Sequence, residues 1–337
     1  MRTEKKSLEQ PPAVLIGTPG RLVDHFSRGN VSPATIRVCV LDEFDKSLEL
    51  GFREEMKTLL EQLPDVQRRV LTSATDAVEV PGFVGLRRPL RLDFLQKNDV
   101  PSTLRVYAVY SPEKDKLDTL YKLLCTLGEG SSLVFCNLRE SAERVSAFLS
   151  EAGVDNVCFH GGLEQPDRER ALSRFRNGSA SVLVSTDLAS RGLDIPEVKR
   201  VVHYHLPVNE EAYIHRNGRT ARMGAEGAAF LILNEADRLP EYMQFEPEVF
   251  GLPKADVPFV PSPWKTLAIS RGRRDKLSKK DIVGFLFQKG GLEKDDLGLV
   301  EVRESYSFAA VRRGKFDALL SRIGQEKIKN MRAKFGE

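Results

Sequence analysis

The sequence predicts an α/β chain: two parallel-sheet domains, the first partial and the second complete, followed by a smaller α+β domain. Three observations lead there. Short apolar strands alternate with amphipathic helices from Val14 to Leu233, as in the strand–helix units of a parallel sheet. Carboxylates, hydroxyls and arginines cluster where those strands end, the edge at which such sheets bind ligands. Beyond a stretch holding Pro247, Pro253, Pro258, Pro261 and Pro263, the order of elements becomes β-α-β-β-α-β.

The totals set bounds. The 337 residues are 41% hydrophobic and 29% charged, enough for two or three cores. No apolar run is long enough to span a membrane, and no apolar segment near the N-terminus reads as a signal peptide. Cys39, Cys125, Cys136 and Cys158 lack C-x-x-C spacing and read as buried free thiols in a reducing, cytoplasmic compartment; zinc is not expected. Charge is uneven. Residues Trp264–Glu337 hold 18 Lys and Arg against 10 Asp and Glu, a net of +8, whereas the rest holds 33 against 38, a net of −5. The positive end is a candidate nucleic-acid surface.

Taken in order, Val14–Gly17 reads as a strand, and Thr18-Pro19-Gly20-Arg21 as the turn into a helix carrying Leu22, Val23 and Phe26. Such a turn is either an ordinary connection or a phosphate site at a helix start. Arg37–Leu41 is a buried strand running into Asp42-Glu43-Phe44-Asp45. Carboxylates after a hydrophobic strand match the arrangement that holds Mg²⁺ on a nucleotide, with a neighbouring glutamate placed to orient or deprotonate water. Gly51–Leu63 is an amphipathic helix with Phe52, Met56, Leu59, Leu60 and Leu63 on one stripe. Arg69–Leu71 is a strand ending in Thr72-Ser73-Ala74-Thr75, hydroxyls that either bond a carboxylate such as Asp45 or form a plain polar turn.

Gln96–Ser102 reads as a linker. Alternation then resumes: strand 105–109, helix 114–127, strand 132–135, helix 140–151, strand 157–159, His160-Gly161-Gly162, helix 165–175, strand 181–184, strand 200–203 and strand 228–233. Between the last two, Tyr213–Gly224 carries Arg216, Arg219 and Arg222. Arg219 and Arg222 are three apart and point the same way on a helix or tight turn. Guanidinium groups grip phosphate through paired hydrogen bonds, although a solvated basic helix end has the same composition.

The order T-P-G-R, D-E-x-D, S-A-T, V-F-C-N, H-G-G…Q-x-x-R, T-D-x-x-x-R-G-x-D and H-R-x-G-R-T-x-R resembles the DEAD-box RNA helicases from about Val14 to Leu233. The resemblance implies two RecA-like domains, with ATP and RNA bound across their cleft. It implies that Asp42 meets Mg²⁺ through water, that Glu43 activates the hydrolytic water, and that Asp45 couples to Ser73 and Thr75. Arg219 and Arg222 would be arginine fingers, with His215 beside them and Gly192 and Asp194 near the nucleotide. Thr18, Pro19, Gly20, Arg21, Gly162, Gln165, Arg168, Thr186 and Arg191 would touch the RNA backbone, largely through phosphate and 2′-OH groups. Phe44 stands where the family has alanine and is expected to point away from the acids by strand alternation. No G-x-x-x-x-G-K-[ST] occurs in the 337 residues, so the resemblance implies a first domain without its front half.

The tail resembles the C-terminal RNA-binding domain of the DbpA-type members, an RRM-like sheet. Strands are expected at 266–269, 298–302, 306–311 and 328–335, and helices at 278–287, capped by Ser278 and Asp281, and 315–323. Tyr306 and Phe308 either stack on bases or pack internally. Lys329 and Arg332 are expected on phosphate. The expected domains are 1–97, 104–245, a proline-rich linker at 246–263, and 264–337. The chain thus reads as a monomeric, cytoplasmic, ATP-dependent RNA helicase or ribonucleoprotein remodeller. Its partners would be structured RNA and ribosomal particles, in ribosome biogenesis, with no membrane. The alternative is an RNA-binding fragment, inactive for want of the phosphate loop.

Overall fold

The computed structural model describes all residues except 1, 50, 74–78, 94–103, 188–194, 196–197 and 222–225. The chain divides into two compact units, Met1–Asn98 and Asp99–Glu337.

The first unit holds helices α1 (Arg2–Ser7), α2 (Pro19–Ser27), α3 (Phe44–Glu49) and α4 (Arg53–Glu61) beside strands β1 (Val38–Leu41) and β2 (Arg68–Leu71). The strands pair in parallel, Val38 opposite Arg68 and Leu41 opposite Leu71. Phe26, Leu41, Phe44, Met56, Leu59 and Leu60 share the core. Met56, Leu59 and Leu60 of the expected stripe face the core from a helix that starts two residues later, Gly51 turning at φ 85°; Leu63 joins them from just past the helix end, whereas Phe52 is exposed. Val14–Gly17 is not a strand, and Val14 and Ile16 are exposed. An extended segment becomes a strand only when a neighbour takes its backbone groups, and β1–β2 is the only ladder among the described residues of this unit.

The second unit begins with a seven-stranded sheet in the order β5-β6-β4-β7-β8-β3-β9. Its strands are β3 (Leu104–Tyr110), β4 (Ser132–Phe135), β5 (Asn156–Phe159), β6 (Val182–Ser185), β7 (Arg200–His203), β8 (Gly227–Leu233) and β9 (Glu248–Val249). Every pairing is parallel. Alternate side chains serve opposite faces. Val134, Val184, Val202 and Phe230 pack on α5 (Leu117–Leu127) and α6 (Arg139–Glu151). Leu133, Phe135, Leu183 and Val201 pack with Ala171 and Phe175 of α7 (Gln165–Arg176). Tyr213 of α8 (Glu210–Asn217) lies on the second face, with Ala108 and Leu231. The proline-rich stretch is not a free spacer. It contributes β9, and Phe250, Leu252 and Phe259 pack on the first face. No helix among the described residues is long and apolar enough to cross a membrane.

The tail forms a sheet ordered β11-β12-β10-β15, from β10 (Trp264–Ile269), β11 (Leu297–Val302), β12 (Ser307–Arg312) and β15 (Phe335–Gly336). Helices α9 (Lys279–Gln288) and α10 (Arg313–Ile323) cover one face, so the β-α-β-β-α-β order is present. The expected strand 328–335 is instead a hairpin, β13 (Lys327–Ile328) and β14 (Met331–Arg332), followed by the short β15. Lys329 and Asn330 turn that hairpin with φ 51° and 63°, the left-handed pair of a tight two-residue loop.

Candidate functional site

In the first unit β1 ends at Leu41 and the chain turns through Asp42-Glu43 into α3. Glu43 has φ 46°, a left-handed backbone that costs a non-glycine residue about 1–2 kcal/mol. Strain of this kind collects at functional sites. Thr72, at the end of β2, holds the turn. Its hydroxyl donates to Asp42 Oδ1, and the Glu43 N–H lies 3.2 Å from Asp42 Oδ1 and 3.3 Å from Thr72 Oγ1. The Phe44 N–H donates to the Thr72 carbonyl at 3.0 Å. Asp42 and Glu43 are exposed, while Asp45 is buried beneath them. Phe44 is buried in the core as the first residue of α3, so strand alternation is not what places it. Asp42 Oδ2 has no hydrogen-bond partner among the described residues. A hard, water-exposed carboxylate oxygen at a strand end fits a water-mediated Mg²⁺.

Thr18 precedes α2 in extended conformation with no side-chain cap bond, and Pro19 opens the helix. A Cβ on Gly20 would meet only Glu55 Cγ at 3.9 Å, so packing does not require glycine there. Arg21 is held by Glu4 and by Asp24 at 3.4 Å.

In the second unit the site lies at the C-terminal edge of the parallel sheet. Arg216 of α8 is its organiser. The guanidinium is fully buried and bonds Asp187 at 2.5 and 3.0 Å, Asn137 Oδ1 at 2.8 Å and the His205 carbonyl at 2.9 Å. It also lies over the Phe135 ring at 5.1 Å. One side chain thereby ties the residues that follow β4, β6 and β7. Beside it His203 is buried, with Nε2 3.0 Å from Asn217 Oδ1 and no partner for Nδ1 among the described residues. Burial, with Arg216 nearby, pushes its pKa down to about 3, so the ring is neutral. His205 is lowered for the same leading reason. The sequence marked Arg216 as one of three candidate phosphate-binding arginines and Thr72 as one of several hydroxyls able to bond a carboxylate, and gave Asp187 and Asn137 no role of their own. Their signal was position: each stands at or just past a strand end or inside the arginine stretch.

His160 shapes the H-G-G turn. Its Nδ1 accepts from the Gly162 N–H at 3.1 Å, and its Nε2 faces Glu143 at 3.0 Å. Arg168 clamps the same turn, donating to Gly161 O at 2.6 Å and Leu163 O at 3.0 Å. It therefore positions the loop, leaving Gly162 and Gln165 exposed. Thr186 is half-buried between Ser185 and Asp187. Arg219 lies just past α8 and is buried, and His215 is 3.6 Å from Glu211. Gly227 is required where this segment crosses β8, because a Cβ there would stand 2.5 Å from Thr220 Oγ1. Thr75, Arg191, Gly192, Asp194 and Arg222 lie outside the described residues.

In the tail, Phe308 is buried and Tyr306 donates to Glu169 Oε2 at 2.6 Å. Lys329 bonds Asp281 at 3.1 Å and the Lys276 carbonyl at 2.9 Å, and Arg332 is exposed. The four thiols are free. Cys125 and Cys136 are buried, but Cys39 and Cys158 are only partly covered. Burial raises Cys136 to about 12 and Cys158 to about 11.

Comparison with known proteins agrees along the chain. A DEAD/DEAH box helicase family model matches residues 1–81, a helicase conserved C-terminal domain matches 115–224, and a DbpA RNA binding domain matches 266–335. The ATP-dependent RNA helicase DbpA of Escherichia coli (strain K12) is 33% identical over 334 residues, 97% of this chain and 73% of the relative. The ATP-dependent rRNA helicase RRP3 of Yarrowia lipolytica is 35% identical over 249 residues, 73% of this chain and 52% of the relative. Among solved structures, S. cerevisiae Dbp5 bound to RNA and ADP BeF3 is 30% identical with a TM-score of 0.55, covering 65% of this chain and 59% of that one.

Proposed function

The chain belongs to the DbpA-type DEAD-box ATP-dependent RNA helicases, and from that premise we propose that it remodels folded ribosomal RNA in the cytoplasm, as a monomer acting on ribosomal particles during ribosome biogenesis. The acid turn carries the reading. Asp42 and Glu43 are exposed on a strained backbone at the end of a parallel strand, held there by Thr72. Asp42 fits Mg²⁺ through water, and the bound nucleotide supplies the transferable phosphoryl group. Glu43 orients and deprotonates the attacking water, while Arg219 and Arg222 counter the developing charge. Gly162, Gln165 and Thr186, with Thr18 and Gly20, bind the RNA backbone. The rRNA helicase among the relatives and the basic tail support a folded ribosomal target.

The test is equilibrium binding of the 337-residue chain to a folded fragment of ribosomal RNA, in competition with an unstructured strand of equal length. The folded fragment should win. Equal affinity for both would overturn the targeted reading.

A further inference from the structure

Leu267 and Ile269 turn one face of the tail sheet to α9 and α10. The other face, by alternation along β10, rests on the preceding parallel-sheet domain. There Thr266 is 2% exposed and meets Ser179 Oγ at 2.8 Å and Asn177 Nδ2 at 2.9 Å. Arg313 pairs with Asp155 at 2.5 Å, and Glu301 of β11 takes both Arg176 at 3.2 Å and Arg303 at 3.1 Å. One further contact reaches Gln165. Tyr306, just ahead of β12, donates its hydroxyl to Glu169 Oε2 at 2.6 Å. The other oxygen of that carboxylate, Oε1, accepts from Gln165 Nε2 at 3.1 Å. The Tyr306 ring is itself anchored 5.3 Å from that of the buried Phe308.

Gln165 and Glu169 stand four apart on α7. Side chains at that spacing meet, but an exposed pair holds itself only weakly. The Tyr306 hydroxyl changes that. It fixes Glu169 through a bond to a charged acceptor, the stronger kind. It is also the leading reason that the Glu169 carboxyl lies below the ordinary carboxylate range, ahead of Gln165, Arg303 and Arg176. Tyr306 is pushed up to about 12 by burial and by Glu169, so the phenol keeps its proton. An ionised carboxylate only accepts hydrogen bonds. Gln165 must therefore turn its NH2 towards Glu169 and its carbonyl outward. The residue is exposed, and its Oε1 has no hydrogen-bond partner among the described residues. Along a nucleic-acid backbone the phosphate oxygens only accept. The one donor there is the ribose 2′-hydroxyl, which DNA lacks.

We propose that Tyr306 and Glu169 are positioning residues for the RNA contact of the preceding domain: they hold the Gln165 amide with its carbonyl outward, as an acceptor for a 2′-hydroxyl, so that the seated tail makes that contact selective for RNA over DNA. This role rests on the reading that Gln165 touches the RNA backbone. Without the Tyr306 hydroxyl the amide is free to turn, and an outward NH2 would serve a phosphate of RNA or DNA alike.

The experiment is fluorescence anisotropy of the full, nucleotide-free chain with an unstructured RNA and a DNA of the same sequence. Tyr306→Phe deletes only the hydroxyl. Glu169→Gln reaches the same amide from the other side, because its own NH2 can donate to the Gln165 carbonyl. In both variants the ratio of RNA to DNA affinity should fall by about two- to tenfold, the effect of one hydrogen bond. In a Gln165→Ala background neither substitution should alter the ratio further. A role confined to seating the tail would persist in that background and weaken both strands alike. The side-chain amide NMR signal of Gln165 should also shift in Tyr306→Phe, with the circular dichroism of the chain unchanged. An unchanged ratio in either variant, or a change that persists without Gln165, would overturn the positioning role and leave the RNA reading standing. Equal affinity of the unsubstituted chain for the two strands would overturn it as well. No binding of RNA by the unsubstituted chain would overturn the RNA reading itself, and the positioning role with it.

Discussion

At the scale of single residues, Arg216 has a structural role that the Tyr213–Gly224 stretch does not announce in the sequence. Arg216 is consumed within the fold, bonded to Asp187, Asn137 and the His205 carbonyl. Arg216→Ala should lower the unfolding free energy by roughly 3 kcal/mol, because buried acceptors lose their donor and the site becomes a void. Arg216→Lys should recover little, since an ammonium cannot make the forked contacts; urea melts of the two variants are the check. His203 gives a pH signature. Its folded pKa is depressed to about 3 by burial, below the ordinary value near 6.5. The folded state then binds fewer protons than the unfolded one between those values. The stability it contributes is full above pH ~6.5 and is lost as pH falls towards 3, at close to 1.4 kcal/mol per unit. Denaturant midpoints at several pH values should show the decline, and His203→Gln should flatten it. The fork chemistry of arginine was legible in the sequence. Which partners Arg216 would tie together was not, because that depends on strands distant in the chain.

At the scale of elements, local signals read well and long-range ones did not. Ser278 and Asp281 announced the start of α9, and both halves of that reciprocal cap are present. Ser278→Ala should cost about 1 kcal/mol in the tail's stability, visible in a thermal melt. The β-α-β-β-α-β order was legible because each element carries its own periodicity. Val14–Gly17 had the composition of a strand and lacked a partner, which composition does not report. The last strand was misread because Lys329-Asn330 is an unobtrusive turn; the asparagine, a residue that tolerates left-handed backbone, was the available hint. Prolines marked residues 246–263 as extended but said nothing about where that segment would lie, and it lies on the sheet and its core.

At the scale of the whole molecule, the charge asymmetry divides the labour. In the proposed function the tail, with net +8, supplies phosphate attraction, while the acid turn and the arginine stretch supply the chemistry. The motif order made that division legible; the tail's seating on Asn177, Ser179 and Glu169 was not, since it depends on side chains that only the folded sheets bring together. Glu43 and Arg219 are the residues proposed to serve ATP hydrolysis. These 337 residues contain no G-x-x-x-x-G-K-[ST], so the direct measurement joins the phosphate-loop segment of a DEAD-box relative ahead of Met1 and follows phosphate release with and without RNA. RNA-stimulated turnover should appear, disappear in Glu43→Gln and fall by roughly 10³–10⁵ in Arg219→Ala, with nucleotide-free RNA binding preserved in both. Near-normal turnover in either variant would contradict those roles.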